Sequence, residues 1–250
     1  SVSRSLTQSG SQIAEQRYEF QRFLAVDADS KDGKARSLLM EGAGREYVTS
    51  ASLLNVHPAK PETVIMASWN FSGGAYKQEL GSRLSGGRKD SGYEYSLFEV
   101  NTRTGDGKLI ETGSPYTDDW VVNAAGEAIA RSDWNPETGT FSIFTKDGKS
   151  WKSVYSAAID YELDLIGATA DGQSLLLRGS RGQDKFRIWS MPVRGGEFSV
   201  YYEHPEQDVT GVSMDRFSGA PTSYHVGGPD PKTIWVGPKM EALQKGVGKG

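Results

Sequence analysis

The side chains most able to do chemistry in this chain are its three histidines, His57, His204 and His225, because the sequence contains no cysteine. His57 and His204 each precede a proline in a turn-like segment, whereas His225 lies in a polar, strand-like segment. No two histidines stand at a spacing typical of zinc ligands. We therefore expect structural or solvent-facing roles for them, rather than general-base catalysis, and we predict neither a metal site nor a cofactor.

A serine nucleophile is the second possibility. A nucleophile elbow has the pattern Gly-x-Ser-x-Gly between a strand and a helix, because the strained turn exposes the serine hydroxyl. The nearest match, residues 179–182 (Gly-Ser-Arg-Gly), lacks the first glycine at the required spacing and lies between two strand-like segments. The pattern predicts a β-hairpin turn, and we predict no catalytic residue in this chain.

Three acidic residues in one turn could bind calcium through carboxylate oxygens. Asp27, Asp29 and Asp32 are close in sequence, but no glutamate stands at the twelfth position that an EF-hand loop needs. We interpret the segment as a solvated hairpin turn.

The overall charge excludes one class of partner. The 250 residues carry a formal net charge of −4, whereas a nucleic-acid-binding protein needs a basic face to displace counterions from phosphate. No apolar run approaches the roughly 18 residues of a membrane-spanning helix. We therefore predict neither a nucleic-acid nor a membrane partner. The absence of cysteine suits cytoplasm and periplasm alike; localisation stays open, with the periplasm or secretion slightly favoured.

The elements that position these side chains form a repeat between Asp119 and His204. The first copy comprises four short apolar or alternating runs, Trp120–Val122, Ala128–Ala130, Phe141–Phe144 and Trp151–Tyr155. The second copy comprises Leu163–Ile166, Leu175–Leu177, Phe186–Trp189 and Phe198–Tyr202. Such runs between Gly-, Asp- and Asn-rich turns are typical of antiparallel strands joined by hairpins, and four recurring together indicate a propeller blade.

The spacing of turn glycines supports this interpretation. Gly126 and Gly172 are 46 residues apart, and Gly172 and Gly219 are 47 apart, within the roughly 40–50 residues of a propeller repeat. An earlier unit, residues 53–111, is lengthened by a Gly-rich insertion, and partial units precede and follow. The predicted fold is an all-β propeller of four-stranded antiparallel blades, incomplete, with about three full blades and two partial ones.

The expected domain organisation is a disordered lead-in over residues 1–16 and a single partial propeller over residues 17–250, with a helix-like segment around Met240–Gln244. The sequence starts without methionine, shows no signal peptide and both starts and stops mid-blade, so we expect a processed chain or a piece of a larger protein.

The insertion Phe71–Gly92 is the predicted functional loop. It carries Tyr76, Arg83, Arg88 and Lys89 among several glycines. A basic loop of this kind could guard a cleft or contact a peptide carboxylate. The alternative is a surface loop without function.

The order of several segments carries a family resemblance. These segments are Phe23–Asp29, Leu53–Leu54 ahead of Pro58, Val64–Trp69, Tyr95–Gly105, Ala128–Asp133, Ile166–Leu175, Glu203–Val209 and Gly237–Gln244. Their order resembles the non-catalytic propeller of the prolyl oligopeptidase family of serine peptidases, in particular its bacterial dipeptidyl-aminopeptidase and acylaminoacyl-peptidase branch.

The resemblance implies a role in peptide hydrolysis. Family members carry an α/β-hydrolase domain with a Ser, Asp, His triad after the propeller, and this chain ends before that domain would begin. The implied function is gating: the propeller limits access to short peptides, and its partners are the hydrolase domain of the parent chain and the peptide substrates. The chain alone is then inactive, and its parent is a serine peptidase.

Two other function classes stay open. One is a free-standing propeller that serves as a protein-interaction or ligand-binding scaffold. The other is a sialidase-like hydrolase, because Thr145–Trp151 is similar to an Asp-box turn, although one residue is missing between Asp147 and Gly148. That hydrolase would need three arginines around a carboxylate and a Tyr/Glu nucleophile pair, which the sequence alone does not assemble.

Overall fold

The computed structural model describes residues 2–7, 17–27, 33–39, 49–57, 59–71 and 93–237, together with 242 and 246. The chain divides into two compact units, Ser1–Tyr116 and Thr117–Gly250. The single domain expected over residues 17–250 stays a prediction. All 19 strands of the described residues belong to antiparallel sheets. No helix in these ranges is long and apolar enough to cross a membrane.

The first unit begins with two short hairpins. Their strands are β1 (Val2–Thr7), β2 (Arg17–Arg22), β3 (Leu24–Val26) and β4 (Ala35–Ser37). β1 pairs with β2, and β3 pairs with β4. Residues 2–7 thus form a strand inside the segment for which the sequence predicts disorder, and each of these six residues has a Cα partner in β2. Residues 8–16 lie outside the described ranges.

The first unit also contains one complete blade, the first blade. Its strands are β5 (Thr49–Val56), β6 (Thr63–Phe71), β7 (Tyr93–Asn101) and β8 (Gly107–Glu111), paired in chain order. Alternate residues of β6 and β7 point to one face, so Val64, Met66, Phe98 and Val100 form an apolar cluster with Leu39. The blade predicted over residues 53–111 is confirmed.

The second unit contains the two copies that the sequence predicts. The second blade comprises β9 (Thr117–Val122), β10 (Ala128–Asn135), β11 (Thr140–Asp147) and β12 (Ser150–Ala158). The third blade comprises β13 (Leu163–Ala168), β14 (Ser174–Gly179), β15 (Arg187–Pro192) and β16 (Ser199–Tyr202). In both blades each strand pairs with the next along the chain, as expected.

A three-stranded terminal blade follows, formed by β17 (Val209–Met214), β18 (Pro221–Val226) and β19 (Lys232–Trp235). This is the cut-off unit that the sequence predicts. The fold is therefore an all-β propeller of antiparallel blades, three of them four-stranded. The helix-like segment predicted around Met240–Gln244 lies outside the described ranges except for residue 242.

Similar turns close the first hairpin of each blade in the second unit. In each of these turns a side-chain oxygen accepts a hydrogen bond from the backbone N–H of the residue two positions later. The accepting residues are Asn123, Asp171 and Asp215. The turns then place Gly126, Gly172 and Gly219 at φ values of 79°, 67° and 72°, which glycine adopts without steric cost. The glycine period that marks the repeat in the sequence thus reflects a left-handed glycine in each turn. The side-chain acceptor stands at a different distance before that glycine in each case, three, one and four residues respectively.

An apolar layer between the second and third blades forms the main core of the second unit; we call it the interblade layer. The members of the interblade layer that are fully buried or nearly so include Ala130, Phe141, Ile143, Leu163, Leu165, Leu175, Leu177, Trp189 and Met191. On the other face of β14, Leu176 packs with Ile188, Val209 and Tyr224. Both faces of this strand are buried, which explains its continuous leucine run.

We expect Leu177→Ala to lower the free energy of unfolding by about 2–5 kcal/mol, because a fully buried leucine leaves a cavity that the rigid layer cannot fill. Val200 on β16 is 45 % exposed, so Val200→Ala is the matched control and should cost less than about 1 kcal/mol. Urea unfolding followed by tryptophan fluorescence compares the two. Equal losses would contradict the interblade layer.

Candidate functional site

The second unit contains a cavity of about 180 Å³ with an unusual lining; we call it the acidic cavity. Its lining residues are Asp118, Asp119, Trp134, Phe141, Ile159, Tyr161, Glu162, Leu163 and Asp164. Four of these nine residues are carboxylic acids, the other five are aromatic or aliphatic, and none is basic. Such a mixture of apolar wall and convergent polar groups is the usual make-up of a ligand site.

Strands of two blades bring these side chains together. β9 supplies Asp118 and Asp119, and β13, which lies beside β9, supplies Asp164. The connection from β12 to β13 supplies Ile159, Tyr161 and Glu162. The cavity therefore lies at the end of the blades where the fourth-to-first connections run. Within a blade the second-to-third connections leave from the same end, because successive strands alternate in direction.

One arginine holds two of the four carboxylates in place. Arg178 on β14 is the cross-strand partner of Asp164, and its Nη2 and Nε donate to Asp164 Oδ2 at 2.7 and 3.1 Å. The same guanidinium is bonded to Glu162 and lies 4.9 Å from the ring centroid of Phe186. Arg178 thus fixes the orientation of the acidic wall without lining the cavity itself.

Among the acids that line the cavity, Asp119 has the most strongly shifted pKa. Burial raises its pKa to about 7, with further increases from the neighbouring Asp118 and Asp164. The hydroxyl of Ser132, on the facing strand, acts in the opposite direction through a long 3.5 Å hydrogen bond. Burial also raises the pKa of Asp164, although the Arg178 guanidinium opposes this. Such a site favours a cation, because a positive charge would stabilise the ionised form of both acids.

The predicted loop residues cannot be assigned to this site. Tyr76, Arg83, Arg88 and Lys89 lie outside the described residues, and so do Asp29 and Asp32 of the acidic turn. Within the described part of the chain, no three His, Asp or Glu side chains are grouped so as to hold a metal ion.

The acidic cavity itself was not predicted from the sequence. Its acids come from two successive repeats and meet only because β9 and β13 lie side by side. A signal was nevertheless present, because Asp118 and Asp164 are 46 residues apart and occupy the same position of the repeat.

The glycine-rich serine segment forms a β-hairpin turn, as predicted. Gly179 ends β14, and the next element is strand β15 rather than a helix. The Ser180 carbonyl accepts from the Gln183 amide at 3.0 Å, and the Trp189 indole donates to the Gly179 carbonyl at 2.8 Å. Gly179 is needed for packing, because a Cβ there would lie 2.4 Å from the Glu162 carbonyl oxygen.

The histidines of the described residues make local hydrogen bonds. His204 Nδ1 accepts two backbone N–H groups of its own turn. His225 Nε2 is 2.8 Å from Ser213 Oγ, and its Nδ1 is 3.3 Å from Thr233 Oγ1. The imidazole therefore connects the three strands of the terminal blade. The backbone N–H of His57 donates to the Thr63 carbonyl and closes a turn.

Comparisons with known proteins place this geometry in one fold. No protein-family model matches the chain, and no curated protein matches it either. Among solved structures, a putative TolB from Agrobacterium tumefaciens is 11 % identical, with a TM-score of 0.51, over 85 % of this chain and 67 % of that chain. A puromycin-hydrolysing peptidase from Mycobacterium tuberculosis is 12 % identical, with a TM-score of 0.54, over 95 % of this chain and 37 % of that chain.

A puromycin hydrolase solved in complex with PGG is 13 % identical, with a TM-score of 0.50, over 94 % of this chain and 38 % of that chain. Identities this low show the fold alone, which is a β-propeller. The chain thus spans little more than a third of the length of either peptidase.

We expect Gly179→Ala to destabilise the second unit by about 1–3 kcal/mol, because the new methyl group would meet backbone of the connection that carries Glu162. Gly211→Ala is the matched control in another strand, where the nearest atom is a His225 side-chain carbon at 3.4 Å. Urea unfolding of both variants is the measurement. If Gly211→Ala were as damaging as Gly179→Ala, the close approach at Glu162 would not be the cause.

We expect Asp119→Asn to stabilise the protein at pH 8 but not at pH 4. The pKa of Asp119 is about 7 in the folded chain, against an ordinary value of 3.8 for an aspartate in an unfolded chain. Between these values the folded chain binds more protons than the unfolded chain, so the stability of the wild type falls as pH rises. Asparagine does not ionise, so the variant does not lose this stability. At about 1.4 kcal/mol per pKa unit, the loss in the wild type's free energy of unfolding is at most about 4 kcal/mol.

Urea unfolding of the variant and the wild type at pH 4, 6 and 8 measures this difference. The exposed Glu206 lies in the connection from β16 to β17, and Glu206→Gln is the control for the same change of charge. A stability difference for Asp119→Asn that does not vary with pH would contradict the raised pKa.

Proposed function

We propose that this chain is the non-catalytic propeller of a serine peptidase of the prolyl oligopeptidase type, and that it admits short peptides to an α/β-hydrolase domain encoded elsewhere in the parent protein. The observation that carries the proposal is the ordered series of family-like segments. The fold assigns them to defined strands: Val64–Trp69 lies in β6, Tyr95–Val100 in β7 and Ala128–Asp133 in β10. Segments that resemble the family therefore occupy strands of successive blades.

The fold is compatible with this proposal but does not select it over other propeller proteins. A puromycin-hydrolysing peptidase and a TolB protein match the chain with similar TM-scores, so the propeller alone is compatible with both. The segment order favours the peptidase. Function resides in sites rather than in folds, and the proposal therefore needs a test on substrate selection.

The insertion between β6 and β7 is the proposed gate. It carries Tyr76, Arg83, Arg88 and Lys89. By the strand order of the first blade it leaves the sheet at the end where β5 begins, and the acidic cavity lies at the equivalent end of its own blades. A basic insertion that leaves the sheet at this end suits the carboxylate of a short peptide.

The gate is tested in the parent peptidase. Replacing residues 73–91 with a short Gly/Ser linker should raise kcat/KM for a peptide of about 30 residues at least fivefold relative to a dipeptidyl chromogenic substrate, because size exclusion is relieved. An unchanged ratio would contradict gating.

The isolated 250-residue chain should hydrolyse neither substrate. Activity of that chain, or a parent reading frame without a downstream Gly-x-Ser-x-Gly elbow followed by Asp and His, would overturn the peptidase assignment.

A second candidate function is a ligand-binding scaffold without a hydrolase. The observation that favours it is the acidic cavity, which residues 118–164 of this chain build by themselves. Ligand binding by the isolated chain, together with a reading frame that ends shortly after residue 250, would support this candidate over the peptidase module.

A further inference from the structure

We propose that the acidic cavity binds an arginine side chain of a peptide ligand, with the guanidinium among the carboxylates and the methylene stem against the aromatic wall. The inference goes beyond the proposed function and stands on the cavity alone, so it can hold or fail whichever parent protein the chain belongs to.

The lining matches the two halves of an arginine side chain. Trp134, Phe141 and Tyr161 supply rings for an apolar stem or a planar cation, while Asp118 and Asp119 supply acceptors beside them. A cavity of about 180 Å³ is smaller than the roughly 300–1,000 Å³ typical of drug-sized ligands. It therefore suits one side chain of a ligand whose backbone stays outside.

Charge complementarity selects a cation. Asp119 is faced by Asp118 from its own strand, Ser132 from β10, Asp164 from β13, and Tyr161 and Glu162 from the connection before β13. Arg178, the cation that holds Asp164 and Glu162, reaches them from outside the lining. Arg178 pairs with Glu162 and Asp164, whereas Asp119 accepts a hydrogen bond from Ser132 and lies beside two further carboxylates, Asp118 and Asp164. A bound cation would thus replace a repulsion by an attraction.

A guanidinium suits the cavity better than an ammonium. Its planar fork forms paired hydrogen bonds with carboxylates, it is more weakly hydrated, and it stacks on aromatic rings. Two arginines of the second unit already lie between a carboxylate and an aromatic ring. The Arg131 guanidinium lies 4.8 Å from the Phe144 centroid and 5.2 Å from the Trp151 centroid, with its Nε 3.2 Å from Asp133. Arg178 combines Asp164, Glu162 and Phe186 in the same way.

Isothermal titration of the intact chain with tripeptides blocked at both ends tests the proposal. The probe is acetyl-Ala-Arg-Ala-amide at pH 8. The controls replace Arg with citrulline, which keeps the shape without the charge, or with Lys, which keeps the charge without the plane. Unblocked Ala-Ala-Ala-amide tests whether a free α-amino group is recognised instead. We expect the Arg peptide to bind at least tenfold tighter than the citrulline peptide and at least threefold tighter than the Lys peptide.

Three variants locate the binding site. Asp119→Asn should weaken Arg-peptide binding at least tenfold, and Trp134→Leu, which keeps the wall apolar but removes the ring, at least threefold. The control Glu206→Gln should leave binding unchanged. Because unfolding curves recorded beside the titrations report whether each variant is folded, a loss of binding by a folded variant is attributable to the cavity. Affinity for the Arg peptide should also rise between pH 6 and pH 8, as Asp119 ionises.

Several results would overturn the inference. Equal binding of the Arg and citrulline peptides would show that the cavity does not recognise the positive charge. If unblocked Ala-Ala-Ala-amide bound more tightly than the Arg peptide, the cavity would be a site for an α-amino group. Undiminished binding by folded Asp119→Asn, or no binding of the Arg peptide to the wild type, would show that the acidic cavity is not an arginine site.

Discussion

The interblade layer between the second and third blades is the constraint on which the rest of the second unit depends. Strand β14 is buried on both faces, with Leu175 and Leu177 in that layer and Leu176 in the next cluster. Because side chains alternate along a strand, a shift of one residue in the pairing would exchange the two faces. The layer therefore fixes the register of the third blade against its neighbours, and with it the place of every polar group at the blade ends.

The acidic cavity is the place where this layer ends. Phe141 and Leu163 belong both to the interblade layer and to the cavity lining, and Trp134 and Tyr161 are partly buried against the same layer. The apolar packing that stabilises the two blades thus also supplies the wall of the site. The carboxylates stand at its rim, where Arg178 orients two of them and where burial raises the pKa of Asp119 to about 7. The residues that stabilise the two blades are thus also the residues of the proposed binding site.

The strands could be predicted from sequence because local patterns define them. The alternating runs and turn glycines of the two repeats specify β9–β16, and the leucine run at Leu175–Leu177 is a strand buried on both faces. The segment Val2–Thr7, which pairs with β2, consists mostly of polar residues and shows no such pattern. The acidic cavity needs Asp119 and Glu162 to meet across two blades, which depends on packing rather than on spacing along the chain.

Amide hydrogen exchange of the intact chain tests the interblade layer most directly. If the layer organises the second unit, the slowest-exchanging amides should lie in β10, β11, β14 and β15, the inner strands of the two blades, with faster exchange in β12 and β16 at their edges. Exchange that is equally fast in inner and edge strands, or protection confined to one blade, would contradict the account.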